Sequence, residues 1–200
     1  MEEKCIFQSE NYRLEGLIDK GDGDQAIIIT HPHSLYGGNM KNYVVESICR
    51  VYREKGYTTL RFNFRGVGNS KGNFENGLGE QKDVLAAYAY LLNSGLEKID
   101  LAGYSFGAWV NAMTVREDLT VNRMVMVSPP VGFMDFGPIT LISCLKLVIT
   151  GSRDEIAPAN MITEMLPTWN PEARLEVING ADHFYDGFIK AWESILSVYA

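Results

Sequence analysis

Apolar and polar positions alternate in two short stretches at the start of the chain, residues 5–9 and 12–18. That period of two predicts a half-exposed antiparallel strand pair, turning at Glu10-Asn11. Ala26-Ile-Ile-Ile-Thr30 is instead a continuous β-branched run, expected of a strand buried on both faces. Further strands are predicted over residues 57–64, 99–104, 123–128, 145–150 and 173–178. Between them the period lengthens to that of a helix. Over residues 42–55, Val44, Ile48, Val51 and Tyr52 share a face, and Gly56 stops the run. Over residues 79–93 the expected apolar stripe is Val84, Leu85, Tyr88, Leu91 and Leu92. Shorter helices are predicted over residues 108–115 and 159–166, and a closing helix over 185–198. Strands alternating with helices predict an α/β fold: a mostly parallel sheet, helices on both faces and an antiparallel N-terminal pair.

Composition narrows the picture. Two hundred residues, 46% hydrophobic and 22% charged, suit one soluble domain spanning 1–200 with a sizeable core. The net charge of −7 and the lack of a dense basic run argue against nucleic acid or an anionic membrane as partner. No apolar stretch approaches the ~20 residues of a membrane span, and the opening Met-Glu-Glu-Lys-Cys-Ile reads as no signal peptide. Cys5, Cys49 and Cys144 lie far apart without CxxC spacing. They suit a reducing cytoplasm and provide no zinc or disulfide framework.

The chemistry concentrates on Gly103-Tyr-Ser-Phe-Gly107, placed where a predicted strand turns into a predicted helix. A serine hydroxyl is a weak nucleophile and must be held out of the strand, facing a base. A sharp turn does this and leaves no room for side chains two residues either side, which Gly103 and Gly107 satisfy. The N–H of Phe106 then faces the space over Ser105, at a helix N-terminus where negative charge is favoured.

Other suggestive loops also follow strands: residues 31–38, residues 65–72, Asp154 and His183. In an open parallel sheet, ligands bind at that carboxyl end. The Gly-rich stretch 65–72 lacks both the Gly-Lys-Ser/Thr ending and the Gly-x-Gly-x-x-Gly spacing of phosphate loops, and reads as a structural turn closing beside the site. His31 and His33, with no carboxylate or cysteine cluster nearby, make a poor metal site.

Ser105, Asp154 and His183 fall in the chain order Ser…Asp…His of the α/β-hydrolases. Around them stand His31-Pro-His-Ser-Leu-Tyr-Gly-Gly38, the stretch 62–72, Gly151-Ser-Arg-Asp-Glu155 and Gly180-Ala-Asp-His-Phe184. With these pieces the chain resembles a small, lidless α/β-hydrolase, in particular the bacterial group described as predicted hydrolases, near the dienelactone hydrolases. The resemblance implies His183 as general base and Asp154 as its orienting acid, with Glu155 the rival. It implies an oxyanion hole from the backbone N–H groups of Phe106 and of the first loop, at His33 or, as runner-up, Ser34. Many relatives carry glycine where Pro32 stands. Tyr36, Tyr104, Phe133 and Phe136 are candidates for the acyl pocket, with ordinary core as the alternative.

The expected activity is hydrolysis of small acyl substrates, most simply as a carboxylesterase, through an acyl-enzyme and without metal or organic cofactor. A peptidase, a thioesterase or a non-catalytic module that kept the fold are the rivals. The roughly 16 residues between Ser128 and Leu145 are too few for a helical lid. The expected protein is a cytoplasmic monomer or homodimer with a small-molecule partner.

Overall fold

The computed structural model describes residues 1–115 and 119–200. Eight strands form one sheet in the order β1-β2-β4-β3-β5-β6-β7-β8. They are β1 (Glu3–Ser9), β2 (Tyr12–Asp19), β3 (Gln25–Thr30), β4 (Thr58–Phe62), β5 (Lys98–Tyr104), β6 (Met124–Val127), β7 (Leu145–Gly151) and β8 (Arg174–Ile178). β1 and β2 are antiparallel, as is β2 against β4, and every other pairing is parallel.

Among the described residues five α-helices cover the two faces. They are α1 (Tyr43–Glu54), α2 (Leu78–Asn93), α3 (Phe106–Val115), α4 (Ala159–Trp169) and α5 (Ile189–Tyr199). α1 and α5 pack on one cluster built on Ile27, Ile29, Ala102 and Val125, while α2, α3 and α4 pack on the other, built on Ile28, Leu60, Leu101 and Met126. A strand whose consecutive side chains enter both cores must be apolar throughout, which is why β3 reads as an unbroken run. Among the described residues no helix is long and apolar enough to cross a membrane.

Two expectations change. The buried face of α2 is Glu80, Asp83, Val84, Ala87 and Leu91, whereas Leu85 and Leu92 are exposed. The two carboxylates are tolerated because each is spent. Glu80 accepts from the Gly77 and Glu75 N–H groups, and Asp83 from Arg65, itself fully buried. The closing helix starts at Ile189 instead of Tyr185, because Tyr185 and Gly187 adopt left-handed φ of 57° and 80°.

The strand order places the crevice. β3 and β5 are neighbours, yet the chain leaving β3 runs into α1 on one face and the chain leaving β5 into α3 on the other, and ligands collect where they part. Thr30 pairs with Gly103 at that end, so the loop after β3 and the turn after β5 open side by side. Residues 129–144, between β6 and β7, form neither helix nor strand and pack against the domain through buried Phe136, Ile139 and Ile142. Among the described residues no separate lid covers the crevice.

Candidate active site

Ser105 alone separates β5 from α3, at φ 54°. Its N–H donates to the Val127 carbonyl at 2.9 Å, and its own carbonyl accepts from the Ala108 N–H at 2.9 Å. The turn is thus pinned from β6 on one side and from α3 on the other. A Cβ on Gly103 would lie 2.5 Å from Ala108 N, and one on Gly107 2.6 Å from the Thr30 carbonyl oxygen. Both glycines are there because backbone occupies the space of a side chain.

His183 Nε2 lies 2.9 Å from Ser105 Oγ, and His183 Nδ1 lies 2.9 and 3.0 Å from the two Asp154 oxygens. A carboxylate only accepts, so Nδ1 carries the proton and Nε2 faces the serine with its lone pair. The histidine loop is held by Tyr104, whose hydroxyl donates to the His183 carbonyl at 2.7 Å. The strand that presents the serine therefore also holds the loop of the histidine that faces it.

Asp154, in the loop after β7, is buried. One oxygen accepts from the Ile156 and Ala157 N–H groups at 3.0 and 2.7 Å, and the other from Ser128 Oγ at 2.7 Å. Burial opposes its charge, yet the bonds from His183, Ser128 and Ala157 hold its carboxyl below the usual range. Glu155 is exposed, and Asp182 is exposed and accepts from the Phe184 N–H. Of the nearby acids, Asp154 alone reaches the imidazole.

A cavity of about 560 Å³ opens over Ser105 and His183 and is bordered by His33 and Phe106. Phe106 opens α3, so its N–H is one of the helix's unpaired donors. The His33 carbonyl accepts from the Tyr36 and Gly38 N–H groups, both at 3.0 Å, and its ring packs against Tyr36, Phe74 and Phe106. Burial lowers the pKa of that ring. Ser34 lines a neighbouring cavity instead. His31 is spent on the fold: the Phe64 N–H donates to its Nε2 at 3.1 Å, and its Nδ1 lies 2.7 Å from the Pro32 carbonyl. Burial pushes its pKa down to about 4, and neither nitrogen is left for a metal. Among the described residues no group of three His, Cys, Asp or Glu side chains is placed to hold a metal ion.

Of the expected pocket residues, Tyr36, Tyr104 and Phe133 line the cavity. Phe136 does not. It is 2% exposed, with its ring 5.1 Å from that of Trp169, because the β6–β7 connection turns it into the core. The stretch 65–72 also closes elsewhere, around the neighbouring cavity, and its Arg65 is buried against Asp83. Pro32, Pro130, Met134, Ile156 and Phe184 complete the apolar walls. Sequence reasoning also missed Ser128 and Tyr185 behind Asp154, with Tyr185 OH 2.7 Å from Ser128 Oγ. The available signal was that Ser128 directly follows β6, at the same carboxyl edge as the other site loops.

No family model matches the chain. An uncharacterized protein of Rickettsia prowazekii is 35% identical over 194 residues, covering 91% of this chain and 82% of that protein. An α/β serine hydrolase homologue from Coxiella burnetii superposes at TM-score 0.91 with 33% identity, over 98% of this chain and 96% of that one. A Xanthomonas campestris protein described as an α/β serine hydrolase without lid gives TM-score 0.90 and 29% identity, over 98% and 92% of the two chains. The chain belongs to the α/β-hydrolase superfamily, in its small lidless group, and is a hydrolase of that fold.

Proposed function

We propose that the protein is a carboxylesterase of small acyl substrates, with Ser105 as nucleophile, His183 as general base and Asp154 as the acid that orients it. The observation that carries this reading is the unbroken chain from Ser105 Oγ through His183 to Asp154, ending in an open apolar cavity. His183 Nε2 takes the serine proton as Oγ attacks the carbonyl carbon. The oxyanion is met by the N–H groups of Phe106 and His33, with Phe106 at the positive end of α3. His183 then protonates the leaving alcohol, and water activated by the same nitrogen releases the acid. Every step is proton transfer and acyl transfer, carried by the chain's own groups.

The reading extends to a cytoplasmic monomer or homodimer acting on a small molecule without a cofactor. The test is turnover of matched acetyl esters, thioesters and anilides by the wild type and Ser105→Ala. The reading expects the ester to be the best substrate and the variant to lose all three activities. A preference for thioester or anilide reassigns the protein to a thioesterase or peptidase. No Ser105-dependent turnover of any of them leaves a binding module.

A further inference from the structure

A second cavity of about 960 Å³ adjoins the catalytic one, and Gly37 and Gly38 line both. It lies over the β1–β2 pair. Along β2 the side chains of Arg13, Glu15 and Leu17 alternate with buried Leu14 and Gly16. The register sets Lys4 opposite Leu17 and Ile6 opposite Glu15, so these residues share one face. That face is walled by the loops that carry Lys41 and Lys71.

Its charge differs from that of the rest of the chain. Lys4, Arg13, Lys41 and Lys71 all line it, and among the described residues none of the four is ion-paired. Elsewhere, among the described residues, Arg50, Arg53, Arg61, Arg65, Lys82, Lys98 and Arg123 each meet a carboxylate, while Lys20, Lys55, Lys146, Arg153, Arg174 and Lys190 meet none but line neither cavity. One acid, Glu15, also lines the cavity; its hydrogen-bond donors are neutral amides, so it keeps its charge, feels that of Lys41 and offsets one of the four cations. It accepts from Asn63 Nδ2 and the Asn69 N–H, both at 2.7 Å, and from Asn69 Nδ2 at 2.8 Å. The Lys71 N–H donates to the Arg13 carbonyl at 2.9 Å, which anchors two cations on adjacent backbone. In a chain of net charge −7, four cations set against the single Glu15 carboxylate leave three net positive charges around one concave surface, a local field for a multiply charged anion. A single carboxylate would leave most of that charge unmatched, whereas a phosphate ester matches it with two charges and several acceptor oxygens.

We propose, resting on the acyl-transfer reading above, that this groove holds a phosphate-bearing arm of the substrate while the scissile carbonyl lies at Ser105. The shared Gly37–Gly38 edge is the passage between the two. Glycine is required there by the loop's own backbone: a Cβ on Gly38 would lie 2.0 Å from the Pro32 carbonyl oxygen, and Gly37 sits at φ 82°. The substrate class is then acyl esters of phosphorylated alcohols.

Two measurements on the full chain test this. The first is binding of inorganic pyrophosphate by calorimetry at low salt. Saturable binding is expected, equal in Ser105→Ala, weakened by added salt, and weakened about tenfold or more when Arg13→Gln and Lys71→Gln remove two of the four charges. Absence of saturable binding, or affinity indifferent to the double substitution, overturns the groove as an anion site. The second compares kcat/KM for acetyl esters of glycerol and of glycerol 3-phosphate. A preference of about tenfold for the phosphorylated ester, lying mainly in KM and erased by the double substitution, is expected. Pyrophosphate binding without that preference overturns the substrate assignment. If neither ester turns over, the acyl-transfer reading fails and the substrate assignment with it, while the binding result still judges the groove by itself.

Discussion

Ser128 Oγ donates to the same Asp154 oxygen that His183 Nδ1 approaches most closely, at 2.7 and 2.9 Å. Because a carboxylate only accepts, the single Ser128 proton is committed to Asp154, and Tyr185 donates to Ser128 in turn. The acid is thus held from behind by a buried Tyr185–Ser128 relay while it holds the imidazole in front.

Ser128→Ala removes one charge-assisted bond to Asp154. Turnover is expected to fall about tenfold, the equivalent of ~1.4 kcal/mol, and the protein to lose ~1.5–3 kcal/mol of stability. Tyr185→Phe leaves the Ser128 proton on Asp154 and should cost less in turnover. Ester kinetics and urea denaturation of both variants check this ordering. A Tyr185→Phe variant slower than Ser128→Ala would show that the relay does not run in this direction.

Asp154→Asn keeps the shape but favours the wrong imidazole tautomer, with an expected loss of up to ~10⁴ in turnover. Glu155→Gln, at an exposed position, should change turnover little. A crippled Glu155→Gln would move the acid by one residue.

The same carboxylate predicts a pH dependence. The Asp154 pKa is depressed on folding, so its contribution to stability is present above the unfolded value of ~3.9 and is lost as pH falls through the folded value. Wild-type Tm should therefore fall more steeply than that of Asp154→Asn below about pH 4. Parallel curves through that window would mean that the carboxylate is not preferentially stabilised by the fold.

Gly107→Ala places a Cβ 2.6 Å from Thr30 backbone oxygen, with a rigid strand behind it. The expected cost is at least ~1–3 kcal/mol, read as a shift in the urea midpoint. Little or no shift would indicate that the elbow relaxes away from β3.

Much of this site was legible in the chain because its constraints are local. The elbow is a five-residue steric problem, and Gly103 and Gly107 answer it wherever the rest of the fold lies. The family resemblance already favoured Asp154 over its neighbour Glu155; the structure adds that Asp154 turns inward to His183 while Glu155 is exposed. Features set by distant contacts were not legible. Tyr185 meets Ser128 across 57 positions of sequence. Phe136 looked like a pocket aromatic because nothing local reveals that Trp169 waits to stack on it. In α2 the large apolar residues suggested one face, but Glu80 and Asp83 take part of it because Arg65 and the Gly77 turn satisfy them.

The cavity over Ser105 is small and open, with Phe133 and Tyr36 at its exposed edge. For p-nitrophenyl esters, kcat/KM should rise by at most ~0.8 kcal/mol, about fourfold, per methylene and peak at or below about six carbons. A continued rise to long chains in detergent-free solution would reveal a deeper acyl channel than the one described.

The central claim is that His183 and Asp154 activate Ser105. Its most direct test is the rate and site of labelling by a fluorophosphonate, followed by mass spectrometry of the intact protein and its peptides. The account predicts one adduct, on Ser105, formed rapidly by the wild type, slowed by orders of magnitude in His183→Ala and absent in Ser105→Ala. Labelling at another serine, or labelling of Ser105 at an undiminished rate without His183, would contradict it.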